Sequence, residues 1–218
     1  MKELPRACPL CETSGSISEF AAAHDRNYFR CDECGLISVD PGQRPSVDQE
    51  RARYLLHKNH RENAGYVSFL DRFADAVTAA VPLHARGLDF GCGPAPVLGE
   101  LLTARGYPTV SYDPIFFDDE RLLRGSYDFV ACCEVAEHAH SPRRLLDQIE
   151  GCLPHGGVIA IRTVLFDGST AFADWWYQRD PTHVSFYTPA TMTWIARQRG
   201  WEYTRCDNSV ALYTLPCI

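Results

Sequence analysis

From Leu88 onward the chain alternates short apolar runs with stretches of helical period, and no other feature restricts its fold as much. The runs LDF, TVSYD, YDFVACC and VIAIRTV are separated by a helical pattern from Val97 to Arg105, a connection, and a helical pattern from Pro142 to Cys152. Strands that alternate with helices are joined by crossovers, so they lie parallel in one sheet with both faces covered. The helix limits are legible too: in SPRRLLDQIEG, Ser141 is placed to cap, Pro142 to open and Gly151 to follow the end. TPATMTWIARQRG repeats the device with Thr188, Pro189 and Gly200. WEYTRC and VALYTL then flank Asp207, Asn208 and Ser209, which predicts a closing antiparallel hairpin. The expectation is an α/β domain over 83–218.

The first forty residues obey other rules. Cys8 and Cys11 form one C-x2-C pair and Cys31 and Cys34 a second, after nineteen intervening residues. Two such pairs suit four thiolates closing a tetrahedron about zinc, whereas a redox C-x2-C expects a strand and helix around it. So short a segment buries too little apolar surface to fold unaided, and a structural ion would be its core. The prediction is a zinc ribbon over 1–40, serving as packing or as a substrate lid. Its basic residues Lys2, Arg6, Arg26 and Arg30 stand against Glu3, Glu12, Glu19, Asp25, Asp32, Glu33 and Asp40; four against seven leaves −3, poor equipment for phosphate binding.

The 218 residues suffice for one well-buried core, and the net charge of −7 gives no electrostatic reason to expect a polyanionic partner. No apolar run approaches the roughly 20 residues of a membrane span. The start MKELPRACPL lacks the basic and apolar regions of a signal peptide, so a cytoplasmic location and reduced thiols for the ten cysteines are expected. Between ribbon and sheet, DPGQRPS reads as a linker, followed over 41–82 by two helical patterns that cap the main domain. Tyr66, Phe69, Leu70, Phe73 and Val77 form the apolar stripe of the second. Tyr54, His57 and His60 are polar candidates ahead of the main domain.

LDFGCGPAP places Asp89 at a strand end and Gly91, Cys92 and Gly93 in the turn that opens the next helix. Small residues there let the backbone approach a ligand, toward which the helix-start amides point. Asp113 ends the next strand, where an acid can accept ribose hydroxyls. Together they predict a ribonucleotide-type ligand. A dinucleotide loop would carry glycine where Pro96 stands, which disfavours NAD.

A second cluster follows YDFVACC. In EVAEHAH a helix or turn would gather Glu134, Glu137 and His138 on one side, at the strand edge where parallel sheets bind ligands. Two carboxylates about 5 Å apart at an effective dielectric near 20 repel by roughly 3 kcal/mol, so a cation or a shared proton should compensate. Arg143 and Arg144 are candidates for that cation. Downstream, Phe172, Trp175, Trp176, Tyr177, Phe186 and Tyr187 are either core or pocket wall, with Trp176 and Tyr187 the candidates for the pocket.

The combination of D-x-G-x-G-x-A, the Asp113 strand end, YDFV running into EVAEH, and LPHGG before VIAIRT resembles the class I S-adenosylmethionine-dependent methyltransferases, over about Gly65 to Leu215. The resemblance implies a Rossmann-like sheet, with Asp89, Gly91 and Gly93 around the methionine end of the cofactor, Cys92 and Glu134 beside it, Asp113 on the ribose, and Pro114, Ile115 and Phe116 at the adenine. Only fourteen residues separate Asp113 from Asp128, so the usual helix and third strand should be abbreviated there. His155 stands where the family usually carries proline.

EVAEH with the later PTHVSFYT is similar to the small-RNA 2'-O-methyltransferases and to the ubiquinone-pathway O-methyltransferases. Carried over, a second, divalent metal would be held by Glu134, Glu137, His138 and His183, the same four being the catalytic candidates. A bound cation lowers the pKa of a substrate hydroxyl and fixes it in line with the methyl. Two readings stay open beside it: a histidine general base without metal, and a structural ion-pair network. The expected acceptor is a small molecule, methylated at oxygen. An RNA acceptor and a non-catalytic cofactor-binding scaffold are the rivals, and oligomeric state is left open.

Overall fold

The computed structural model describes residues 5–217; Lys2 and Glu3 of the ribbon's charge count lie outside them. The ribbon supplies β1 (Ile17–Ala23), β2 (Arg26–Cys31) and β3 (Ile37–Val39), followed by the helices α1 (Val47–Tyr54) and α2 (Ala64–Ala80). Ser46 opens α1 with a reciprocal capping box to Gln49, and Asn63 caps α2 through the amides of Gly65 and Tyr66.

The main domain follows as β4 (Gly87–Phe90), α3 (Val97–Ala104), β5 (Thr109–Tyr112), β6 (Phe129–Cys133), α4 (Pro142–Glu150), β7 (Val158–Arg162), β8 (Ser185–Phe186), α5 (Pro189–Arg199), β9 (Glu202–Arg205) and β10 (Val210–Thr214). Its sheet runs in the order β5-β4-β6-β7-β10-β9, with β4 parallel to β5 and β6, β6 parallel to β7, and β10 antiparallel to both β7 and β9. The predicted hairpin is present. So is the abbreviated crossover: the stretch 113–128 holds a 3-10 turn, Leu122–Arg124, and no strand is added outside β5.

Strand periodicity divides the core. Phe129 and Ala131 face α2 and α3 together with Leu70, Phe73, Val77 and Leu102, while Val130 and Cys132 face the α4 and α5 side with Leu146, Ile149 and Ile195. Ser141 and Thr188 cap α4 and α5 as expected, and Gly200 ends α5 at φ +67; Gly151 instead keeps a right-handed helical backbone at φ −63.

The ribbon does not stand apart. Cys8, Leu10, Cys31, Cys34 and Leu36 belong to the same buried cluster as α4 and α5. Its sheet is completed by β8, with Ile37 opposite Phe186 and Ser38 opposite Ser185. Segments whose paired residues are 147 and 149 apart in sequence thus share one small sheet, beside a third cluster of Tyr28, Phe172, Trp175, Tyr177 and Phe186.

Candidate active site

At the carboxyl ends of β4, β5 and β6 lies a cavity of about 990 Å³. One half is built by local chain. After β4 the backbone turns through Gly91 (φ +81) and Gly93 (φ +65). Gly91 has no room for a side chain, since a Cβ would lie 2.4 Å from Val135 Cγ2; at Gly93 a Cβ would meet no atom within 4 Å and would take space from the cavity that this residue lines. Asp113 ties the turn to the next strand: its Oδ2 accepts from the Gly93 amide at 2.9 Å and its Oδ1 from those of Ile115 and Phe116 at 2.8 and 3.0 Å. Lone pairs remain on Asp113 for further donors, as ribose hydroxyls would be. Cys92, Pro114 and Ile115 line the cavity with Asp113.

Two of the residues expected at the cofactor stand outside the cavity wall. Phe116 does not line the cavity. Asp89 is buried behind the loop, where its Oδ2 accepts from the Gly99 amide at 3.1 Å and so braces the start of α3, whose cap position is Pro96. Burial pushes Asp89 up to about 7, against the pull of that amide and of the Ser111 hydroxyl.

The other half gathers distant segments. Glu134 follows β6 at φ +53, a strained backbone for glutamate, and the 3-10 turn Ala136–His138 begins only after it. The single helical face expected for Glu134, Glu137 and His138 is therefore broken. Glu134 turns to Arg162, Oε1 to Nη1 2.5 Å, and the cation expected from Arg143 or Arg144 comes from there; Arg143 pairs with Glu12, and Arg144 lines the cavity. The Tyr177 hydroxyl lies 2.5 Å from Glu137 Oε1 and 3.2 Å from Glu134 Oε2, so one proton tethers the two carboxylates.

Glu137, His138 and His183 converge, with one ligating atom of each within 4.8 Å of the others; Glu134 is not in the set. The Nδ1 of His138 meets the Thr182 carbonyl at 3.0 Å and that of His183 the Tyr177 carbonyl at 2.7 Å. A carbonyl only accepts, so both Nδ1 atoms carry the proton and both Nε2 atoms keep a free lone pair, the arrangement outer partners impose on metal-binding imidazoles. Burial holds both histidines neutral, lowering His138 and taking His183 to about 3. Glu137 is fully buried, its Oε2 lacks any hydrogen-bond partner, and burial raises its pKa. Burial and the adjacent Glu137 push Glu134 up to about 8, opposed by Arg162. A buried carboxylate beside two neutral imidazoles, with one of its oxygens unpartnered, fits a divalent cation.

Helix α1 covers this half. Glu50, Tyr54 and His57 line the cavity at helical spacing, and the Tyr54 ring meets His138 edge-on at 5.1 Å. His60 instead pairs with Glu62 at the surface. Glu50 and Asn63 line the cavity without having been singled out in the sequence, where a charged helix gave no sign of its inner face. Trp176 is 62% exposed and Tyr187 is 2% exposed, its hydroxyl bonded to the Ala136 carbonyl; neither lines the cavity.

In the ribbon, Cys8 Sγ and Cys34 Sγ are 3.6 Å apart and Cys11 Sγ and Cys31 Sγ 3.5 Å. Disulfide sulfurs are about 2.05 Å apart, whereas Zn–S bonds of about 2.3 Å put tetrahedral sulfurs about 3.8 Å apart. The four thiols fit zinc. Among the described residues, none of 5–40 lines the cavity, and the ribbon packs against α4 and α5.

A family described as "Methyltransferase domain" matches residues 55–205. The fold is similar to that of 1,6-didemethyltoxoflavin-N1-methyltransferase from Burkholderia thailandensis, solved with 1,6-didemethyltoxoflavin and S-adenosylhomocysteine, at 13% identity and TM-score 0.57 over 91% of this chain and 99% of that one. A SAM-dependent methyltransferase from Archaeoglobus fulgidus aligns at 15% identity and TM-score 0.52, over 67% of this chain and 92% of that one. An O-methyltransferase family protein from B. thailandensis aligns at 13% and 0.52, over 80% and 64%. No curated protein matches the sequence.

Proposed function

Since the chain belongs to the class I S-adenosylmethionine-dependent methyltransferases, we propose that it methylates an oxygen nucleophile on a small molecule, with a divalent ion held by Glu137, His138 and His183. The observation that carries this reading is the buried Glu137 Oε2, unpartnered beside two imidazoles whose tautomers leave Nε2 free. When bound, the ion supplies Lewis acidity that lowers the pKa of an acceptor hydroxyl. The chain's own part is to prepare that place. Carbonyls fix the imidazole tautomers, Tyr177 tethers the carboxylates, and α1 narrows access by water.

Gly91, Cys92 and Gly93 are proposed for the methionine end of the cofactor, Asp113 for the ribose, and Pro114 with Ile115 for the adenine. A general-base role suits His183 poorly, because a base at about 3 holds almost no driving force for proton abstraction near neutral pH. An ion-pair network does not account for Glu137, which has no basic partner among the described residues. The acidic lining, Glu50, Asp113, Asp118 and Glu120 against Lys58 and Arg144, favours a cationic cofactor and an uncharged acceptor over a polynucleotide. The set of one carboxylate and two imidazoles suits zinc, iron or manganese better than magnesium.

The test is calorimetry with S-adenosylmethionine and S-adenosylhomocysteine, followed by turnover on a panel of hydroxylated and amine acceptors. Cofactor binding with methylation of hydroxyl acceptors is expected. Absence of cofactor binding at millimolar concentration overturns the reading, and turnover confined to amines overturns the choice of oxygen.

A further inference from the structure

The described residues of the ribbon contribute nothing to the cavity wall, yet they reach the proposed metal site from behind. Arg26, the first residue of β2, gathers the backbone of the loop that carries His183: Nη1 donates to the carbonyls of His183 at 2.9 Å and Pro181 at 3.2 Å, and Nη2 to those of Asp180 at 3.2 Å and Gln178. Two residues along, the Tyr28 hydroxyl donates to Gln178 Oε1 at 2.9 Å, and Gln178 itself is fully buried. From β3, the Val39 amide donates to the Val184 carbonyl at 2.9 Å, while the Val184 amide donates to the Glu137 carbonyl at 2.8 Å. The Ser185 hydroxyl donates to the Ala139 carbonyl at 2.7 Å. The loop that presents His183 is thus hung on ribbon strands directly, and the segment that presents Glu137 is hung on that loop.

A loop of this kind has little hold of its own. Residues 178–184 form no helix or strand beyond the edge of a 3-10 turn, and a guanidinium is the side chain suited to bind several carbonyls in fixed geometry. Four carbonyls converge on one cation, so neutralising Arg26 leaves all of them to find other donors at once.

We propose that Arg26 is a positioning residue for His183, and that through it the zinc ribbon serves as the outer support of the catalytic cluster and not as a nucleic-acid or substrate module. Arg26 is not among the residues that line the cavity; it acts through the loop backbone. The proposal rests on the reading that Glu137, His138 and His183 hold a divalent ion, and its test separates the two.

The variants are Arg26→Ala, Arg26→Lys and, as a control on the same strand with an exposed side chain, Arg30→Ala. All are prepared as the full chain with its ribbon zinc, whose content is measured by mass spectrometry. Histidine ring 15N NMR without added metal should show the Nδ1–H tautomer of His183 in the parent and in Arg30→Ala, and a tautomer mixture in Arg26→Ala. Calorimetric titration with Co2+ should show an affinity about 10- to 100-fold weaker in Arg26→Ala, the size seen when outer partners of a metal ligand are removed. Arg26→Lys, which keeps the charge without the fork, should fall between. Unchanged His183 tautomer and Co2+ affinity in a folded, zinc-loaded Arg26→Ala overturn the proposal. Should Arg26→Ala fail to fold, Arg26→Lys decides by the same readouts. If the parent takes up no Co2+ beyond the ribbon, the metal reading fails while the tautomer comparison still judges Arg26.

Discussion

The half of the cavity proposed for the cofactor is made by neighbouring turns of chain, with Gly93 held by Asp113 twenty residues on, whereas the half proposed for the acceptor depends on contacts such as Arg26 to His183, 157 residues apart. The first is a product of backbone rules: two glycines at positive φ, an aspartate that collects three amides, a helix start held by Asp89. The second is a product of tertiary support, in which no two of Glu137, His183 and Arg26 belong to one element. A local loop fails by strain at one residue, and an assembled cluster fails when any support is withdrawn.

Four experiments break or sharpen that contrast. The largest effect is expected for Glu137→Gln, which removes the carboxylate from the cluster but keeps its volume; kcat should fall on the order of 10³-fold, as when a transition-state stabiliser is lost, while cofactor affinity stays within about threefold. Equal losses in both, measured by turnover and calorimetry, would merge the two halves. The next effect is a pH dependence. Asp89 is held up to about 7 by burial, so the folded chain keeps a proton that the unfolded chain, with an ordinary carboxyl near 3.9, has released. The stability from that group is present in full below about 4 and is lost as pH rises through 7. Asp89→Asn lacks this loss, so its stability relative to the parent should rise by at most about 4 kcal/mol between pH 4 and pH 8 in urea titrations. A difference that does not change with pH contradicts the buried brace.

Gly91→Ala is third. It meets both the positive φ and the Val135 side chain, and the backbone strain alone should cost about 1–3 kcal/mol. Thermal unfolding and cofactor titration read it; parental stability and affinity contradict the account of the loop. Smallest is Arg53→Ala, which removes a 2.8 Å pair between α1 and Asp180 that is partly open to solvent. Such pairs contribute about 0.2–1 kcal/mol, so KM for the acceptor should rise a few-fold at most with kcat kept. A large loss of kcat would place α1 in the chemistry and not over it.

The same contrast explains what could be read from sequence. LDFGCGPAP and Asp113 were legible because glycine and aspartate act on their own neighbourhood, and the missing third strand followed from the short distance between Asp113 and Asp128. His138, His183 and Glu137 were legible as residue types. The separation of Glu134 was not, because the backbone kink at φ +53 and the pull of Arg162 arise only once β6 and β7 lie side by side. Among the aromatics, consecutive Trp175, Trp176 and Tyr177 carry no period that tells wall from surface; the 3-10 turns decide, burying Trp175 and Tyr177 and exposing Trp176. His57 and His60 looked equivalent, but α1 ends at Tyr54 and only the nearer histidine stays over the cavity.

The most direct test of the central claim is a crystal of the full chain grown with S-adenosylhomocysteine and Co2+, with anomalous data collected at the cobalt and zinc edges. The account predicts zinc among Cys8, Cys11, Cys31 and Cys34, and a cobalt peak bonded to Glu137 Oε2 and to the Nε2 atoms of His138 and His183, facing the sulfur of the bound product. A cobalt-free cluster in which Glu137 Oε2 is hydrogen-bonded to an imidazole would contradict it.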